Sequence, residues 1–92
     1  MIRDFADKNT EKLFNRQRVR KYVNIERVAL RKLVMLHSAN AIDDLRSPPG
    51  NMLELLRGDR AGQYSIRINR QWRICFTWRN GDAYHVEICD YH

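Results

Sequence analysis

A chain of 92 residues holds one small domain, read here as residues 1–92, and leaves no room for a second. A hydrophobic share of 43% beside 30% charged residues excludes an intrinsically disordered polyelectrolyte. Seventeen Lys and Arg against eleven Asp and Glu leave a formal charge of +6, mostly as arginine, whose planar guanidinium suits bidentate contact with phosphate and so favours a nucleic acid or another polyanion as partner.

A short strand precedes two helices. Residues 1–5 are expected to form a short strand with Ile2 and Phe5 as its apolar members. Asp7 or Asn9 can then cap a helix through Leu13 and Phe14, and the basic run Arg16, Arg18, Arg20, Lys21 reads as its solvated end. Residues 24–39 carry the strongest helical period, with Asn24 as N-cap and Ile25, Val28, Ala29, Leu33 and Leu36 on one face. Lys32 intrudes on that face and is expected to snorkel along its aliphatic stem. Leu30 and Val34, on the other side, await the first helix or a partner.

Ser47-Pro48-Pro49-Gly50-Asn51 breaks the helical pattern, and from there the period is two. Met52 to Leu56 reads as a short strand. Tyr64, Ile66 and Ile68, then Trp72, Ile74, Phe76 and Trp78, then Tyr84, Val86 and Ile88 alternate with polar or small residues. Helices first and strands second imply an α+β fold, with a short N-terminal strand and two helices packed on one face of a small antiparallel sheet.

Alternation also constrains register, because a slip of one residue turns every side chain to the other face. A two-residue turn at Asn80-Gly81 would set Ile74 against Glu87. A three-residue loop, Arg79-Asn80-Gly81 with Gly81 at positive φ, sets Ile74 against Val86, Trp72 against Ile88 and Phe76 against Tyr84, and is the expectation. The preceding hairpin reads as a loop at Asn69-Arg70-Gln71 with Ile66 opposite Ile74. The polar face then carries the rows Arg67–Arg73–Glu87 and Ser65–Cys75–His85. Arg73 lies on that face, outside the core, and two facing arginines suggest an anion site.

Asp90-Tyr91-His92, with Arg73 and the nearby Glu54 and Arg57, supplies the residue types of metal-independent RNA cleavage. A base takes the ribose 2′-OH proton, cations stabilise the phosphate, and an acid protonates the 5′ oxygen. Phosphate loops, metal-binding carboxylate spacings and hydrolase nucleophile motifs do not occur in the sequence, so neither metal nor cofactor is expected. Cys75 and Cys89 read as small strand fillers in a reduced, intracellular chain, and His37 as structural or exposed. The Met1-Ile2-Arg3-Asp4 opening lacks the apolar region of a signal peptide, and no apolar run reaches membrane-spanning length, which points to a soluble cytoplasmic protein without membrane contact.

The run from Leu56-Arg57-Gly58-Asp59-Arg60-Ala61-Gly62 to Ile68 resembles the central region of HigB-type toxins. So do Gln71-Trp72-Arg73-Ile74-Cys75-Phe76, the Gly81-Asp82-Ala83-Tyr84 segment, the closing Asp90-Tyr91-His92, and the opening Met1-Ile2-Arg3-Asp4-Phe5. The resemblance implies a RelE-like fold and an endoribonuclease that cuts mRNA in the A site of the 70S ribosome. It further implies neutralisation by a HigA-type helix-turn-helix antitoxin, with operator DNA contacted only through the antitoxin complex. Carried over by position, it implies Arg73 and His92 as catalytic residues with Asp90 and Tyr91 beside them, and Arg57 as a basic residue on the RNA; Arg67 and Arg70 join it as RNA-binding candidates. One branch of the family has histidine where this chain has Glu54, so Glu54, Tyr91 and His92 all stand as candidates for the general base.

Two other readings share part of this pattern. A ParE-type toxin inhibits DNA gyrase without catalysis on the same fold, and Arg73 together with a terminal tyrosine and histidine speaks for cleavage instead. A generic RNA-binding module needs an exposed aromatic stacking surface, whereas Trp72, Phe76, Trp78 and Tyr84 are all expected to alternate inward.

Overall fold

In the computed structural model, which describes residues 1–90, the chain runs through α1 (Lys8–Phe14), α2 (Glu26–Ser38), β1 (Glu54–Leu55), β2 (Tyr64–Arg67), β3 (Trp72–Arg79) and β4 (Asp82–Asp90). One-turn 3-10 helices at Arg20–Tyr22, Pro49–Asn51 and Gly58–Arg60, and a longer one at Ile42–Arg46, link these elements. The four strands form one antiparallel sheet in the order β1-β2-β3-β4. The helices cover the face that carries Ile66, Ile74, Phe76 and Val86, where Leu13, Leu33 and Leu36 complete a closed apolar core. Each such fully buried side chain contributes about 1.5–3 kcal/mol.

Helix boundaries follow local chemistry. Asp7, in extended conformation, precedes α1 as expected. The turn Arg20–Tyr22 carries the chain as far as Ile25, whose amide bonds to the Tyr22 carbonyl, so α2 begins at Glu26 with Ile25 rather than Asn24 at its N-cap. Residues 1–5 do not make a full strand. They lie parallel to the outer edge of β4 through isolated bridges, Ile2 with Ala83 and Phe5 with Val86. His37 anchors this segment, its Nδ1 accepting from the Ile2 amide at 3.1 Å.

The β2–β3 hairpin has the expected form. Ile66 faces Ile74 and Arg67 faces Arg73. Asn69, Arg70 and Gln71 form the loop, held by the Asn69 side-chain oxygen, which accepts from the Gln71 and Trp72 amides at 2.8 Å each.

The β3–β4 hairpin overturns the expected three-residue loop. Arg79 pairs with Asp82 across a two-residue turn, with Asn80 at φ 51° and Gly81 at φ 83°. Positive φ at both turn residues matches the strands' right-handed twist. The phase error that this turn introduces is removed farther along by a β-bulge. Register shifts by one between Cys75 and Thr77, so Phe76 stands against both His85 and Val86, and His85 takes φ 54°. Ile74 therefore faces Ile88 rather than Val86, and Trp72 faces Asp90 rather than Ile88. Apolar still meets apolar in the core, by another route.

The bulge rewrites the polar face. Its rows are Arg67–Arg73–Cys89 and Glu54–Ser65–Cys75–Glu87, in place of rows ending at Glu87 and His85. Tyr84 does not point inward with Phe76. It pairs with Thr77, and its ring lies 4.5 Å beneath the Arg79 guanidinium, while Ala83, opposite Trp78, takes the core position.

Candidate active site

On the sheet face away from the helices, Arg73 projects from β3 toward β1 and β2. A guanidinium taken out of water needs acceptors in place of its hydration shell. Nε donates to the Ser65 hydroxyl at 2.7 Å, and Nη2 donates to the Met52 carbonyl at 2.6 Å and the Ser65 carbonyl at 3.4 Å. A Glu54 carboxylate oxygen lies 3.8 Å from Nη2. Arg73 is only 5% exposed, so the expectation of an arginine clear of the packed interior is corrected. It sits on the polar face and is nevertheless buried, roofed by the corner at Met52.

This arrangement also resolves the apparent clash of Arg67 with Arg73. The Arg67 Nε donates to the Asn69 carbonyl at 3.0 Å, directing that guanidinium toward the loop while Arg73 turns to Ser65. Glu87 does not neutralise them; it pairs with Arg60 at 2.9 Å. Arg67, Arg70 and Arg73 line a hollow of about 240 Å³ together with Met52 and Asn69. A cationic recess of this kind suits a phosphate.

A larger cleft of about 410 Å³ adjoins Glu54 on β1. Arg57 and Asp90 line it, and so do Arg60 and the thiols of Cys75 and Cys89. Asp90 is exposed at the end of β4, where the Gln71 side-chain amide donates to it at 3.2 Å. Glu54, Arg57 and Asp90 thus share one cleft, and Arg73, Arg67 and Arg70 share the hollow, with the Glu54–Arg73 pair between the two. The expected roles of Tyr91 and His92 lie outside the described residues.

The cleft wall contains groups that pattern reading passed over. Cys75 and Cys89 are both buried and form with Leu56 a small apolar cluster beneath the polar face. The Cys89 thiol donates to Glu87 at 3.1 Å. The Cys75 thiol is held below its ordinary pKa, first by its polar contact with the Cys89 thiol, with burial opposing and the charges of Arg60 and Arg73 assisting. Cys89 is pushed up by that same contact, by burial and by its bond to Glu87. Burial raises the Glu87 carboxyl, but hydrogen bonds from Arg60 and Cys89 outweigh it, and the group rests below the usual carboxylate range. Arg60 lies in a segment that reads as a turn, and only the bulge-shifted register brings Glu87 under it. Among the described residues no group of three or more His, Cys, Asp or Glu is arranged to hold a metal ion, and no helix is long and apolar enough to cross a membrane.

The architecture is shared with known proteins. In solved structures, the YoeB–YefM complex from Staphylococcus aureus contains a chain that superposes with TM-score 0.62 at 19% identity, covering 100% of this chain and 98% of that one. A heterotetrameric YoeB–YefM toxin–antitoxin complex from the same organism gives 0.58 at 16% identity, with the same coverage. Toxin HigB-1 of Vibrio cholerae is 40% identical over 90 residues, 96% of this chain and 95% of that protein. Endoribonuclease HigB of Proteus vulgaris is 50% identical over 40 residues, 44% of each chain. The profile of RelE-like toxins of the type II toxin–antitoxin system HigB matches residues 3–92, and the chain belongs to that family.

Proposed function

We propose that this HigB-family toxin is an endoribonuclease that cuts mRNA in the ribosomal A site, without a metal, through attack of a ribose 2′-OH on the adjoining phosphate. The observation that carries this reading is the meeting of Glu54, Arg57 and Asp90 in one cleft with Arg73 locked at its margin. The name of the Proteus vulgaris relative supports it. Arg73, with Arg67 and Arg70 around the hollow, supplies fixed positive charge where negative charge develops on the phosphate. Held by hydrogen bonds before substrate arrives, Arg73 need not reorganise during the reaction. Glu54, Tyr91 and His92 are the candidates for moving protons at the 2′ and 5′ oxygens, and Asp90 lines the same cleft as Glu54. The 92 residues act as one toxin domain in the cytoplasm, restrained by a HigA-type helix-turn-helix antitoxin through which operator DNA is contacted.

The test is to add purified toxin to translating ribosomes and map mRNA 5′ ends. New ends inside A-site codons, strongly but measurably reduced with Arg73→Lys, are expected. Equal cutting of free mRNA would remove the ribosome from the proposal, and absence of new ends would remove the activity.

A further inference from the structure

We propose that Lys32 and Asn51, which do not line the cleft, are positioning residues that set the Arg73–Glu54 geometry; this rests on the reading of that pair as part of the cleavage site. Lys32 stands on the core face of α2 and is 6% exposed. Among the described residues no carboxylate lies within ion-pair distance of it. Its ammonium does not snorkel to water, as an isolated lysine there would. It donates instead to the side-chain oxygen of Asn51. A buried ammonium without a counter-ion is expensive, and a methionine would fill the same core volume. Desolvation accordingly holds the Lys32 pKa below the ordinary lysine value. Core packing does not call for this charge.

What the bond secures is a corner. Asn51 is fully buried, and its amide nitrogen donates to the Leu45 carbonyl at 3.1 Å and the Ser47 carbonyl at 3.3 Å. Lys32 and Asn51 together therefore tie α2, the Ile42–Arg46 helix and the Ser47–Pro49 bend to a single point. The next residue, Met52, lies in the left-handed region at φ 45°, ψ 54°, a conformation that a non-glycine residue keeps only when its surroundings hold it. Its carbonyl accepts from Arg73 at 2.6 Å. Two residues on, Glu54 opens β1, an edge strand of two residues. So short a strand cannot define its own placement. The distance from Glu54 to Arg73 is thus set by the corner, and the corner by Lys32 and Asn51.

The test compares Lys32→Met, Asn51→Asp, Arg73→Lys and the Lys32→Met/Arg73→Lys double variant in kcat and KM on ribosome-bound mRNA. Urea midpoints and the NMR resonance of the Arg73 Nε–H, which reports the bond to Ser65, are read alongside. Lys32→Met is expected to lower kcat roughly ten- to a hundred-fold at unchanged KM, as loss of alignment does, and to shift or broaden the Arg73 signal. Lys32→Arg, which keeps a donor for Asn51, should recover most of kcat. In the Arg73→Lys background Lys32→Met should add no further loss, whereas a purely structural role gives losses that multiply. Asn51→Asp keeps an acceptor for Lys32 but drops the two donors that hold the corner, so it should fold with lowered kcat, and it decides the matter if Lys32→Met does not fold. Wild-type kcat with an unmoved Arg73 signal in either variant, or multiplying losses, overturns the proposal. Wild-type cleavage by Arg73→Lys overturns the site reading instead, and the Arg73 resonance then still decides whether Lys32 positions that side chain.

Discussion

The Arg73 guanidinium donates to the Ser65 hydroxyl at 2.7 Å across the β2–β3 ladder, two pairs along from its own cross-strand neighbour, Arg67. Through this bond a side chain that like-charge repulsion would push outward lies folded beneath Met52. A charge fixed in this way is useful in catalysis because it is aligned before substrate binds, and the same burial ties its function to the stability of the fold.

Replacement of Arg73 is therefore expected to affect both properties. Arg73→Ala leaves the Ser65 hydroxyl and the Met52 carbonyl without their donor and should destabilise the protein by about 2 kcal/mol. Cleavage should fall roughly a hundred-fold or more. Arg73→Lys, which keeps the charge but not the fork, should recover stability more than activity. Urea unfolding beside ribosome-dependent cleavage checks this; undiminished cleavage by Arg73→Ala would exclude the residue from the mechanism.

His92→Gln and Glu54→Gln separate the proposed bases. Glu54 is exposed at the sheet edge, and its substitution should change stability little, as surface changes do. Whichever residue transfers the rate-limiting proton should slow cleavage by about a hundred- to ten-thousand-fold. If both variants kept wild-type rates, Tyr91 would be left as the candidate, to be checked with Tyr91→Phe.

Gly81 is required by the hairpin rather than by the site. At φ 83° a side chain is strained, and a Cβ there would stand 3.4 Å from the Asn40 carbonyl. Gly81→Ala should lower stability by about 1–2 kcal/mol. The turn lies at the end of the sheet away from Asp90, so cleavage per folded molecule should stay within a few-fold of wild type. Thermal unfolding and single-turnover cleavage, measured together, test the separation.

Glu87 gives a pH signature. Its folded pKa lies below the ordinary glutamate value of 4.5, with burial opposed and outweighed by hydrogen bonds from Arg60 and Cys89. The unfolded chain therefore takes up this proton first as pH falls. The stabilisation is fully present above the unfolded value and is lost as pH drops through the folded one. Glu87→Gln should be less stable than wild type at neutral pH, with a gap that narrows below about pH 4.5. Urea midpoints across that range check it; a gap independent of pH would mean that the Arg60–Glu87 charge pair does not supply the difference.

Alternation of residue types was enough to establish much of this architecture. Period three to four in residues 26–38 and period two after Met52 dictate helices before strands, because one apolar face of each element must be buried. The short loop at Asn69–Gln71 left one way of matching Ile66 with Ile74, so Arg67 beside Arg73 was legible directly. For β3 and β4 the same rule demanded that apolar side chains meet, but a three-residue loop and a two-residue turn with a bulge both satisfy it. Twist compatibility at Asn80-Gly81 and the parallel N-terminal segment against Val86 are tertiary matters, and they accompany the second solution. With it Glu87 came under Arg60, and Tyr84 left the core face. The resemblance in Trp72-Arg73-Ile74 pointed to Arg73 as a functional residue. Its burial could not be read from period or spacing, because the Met52 carbonyl that covers it reaches β3 only through a corner pinned by Lys32, a residue 41 positions earlier in the chain than Arg73.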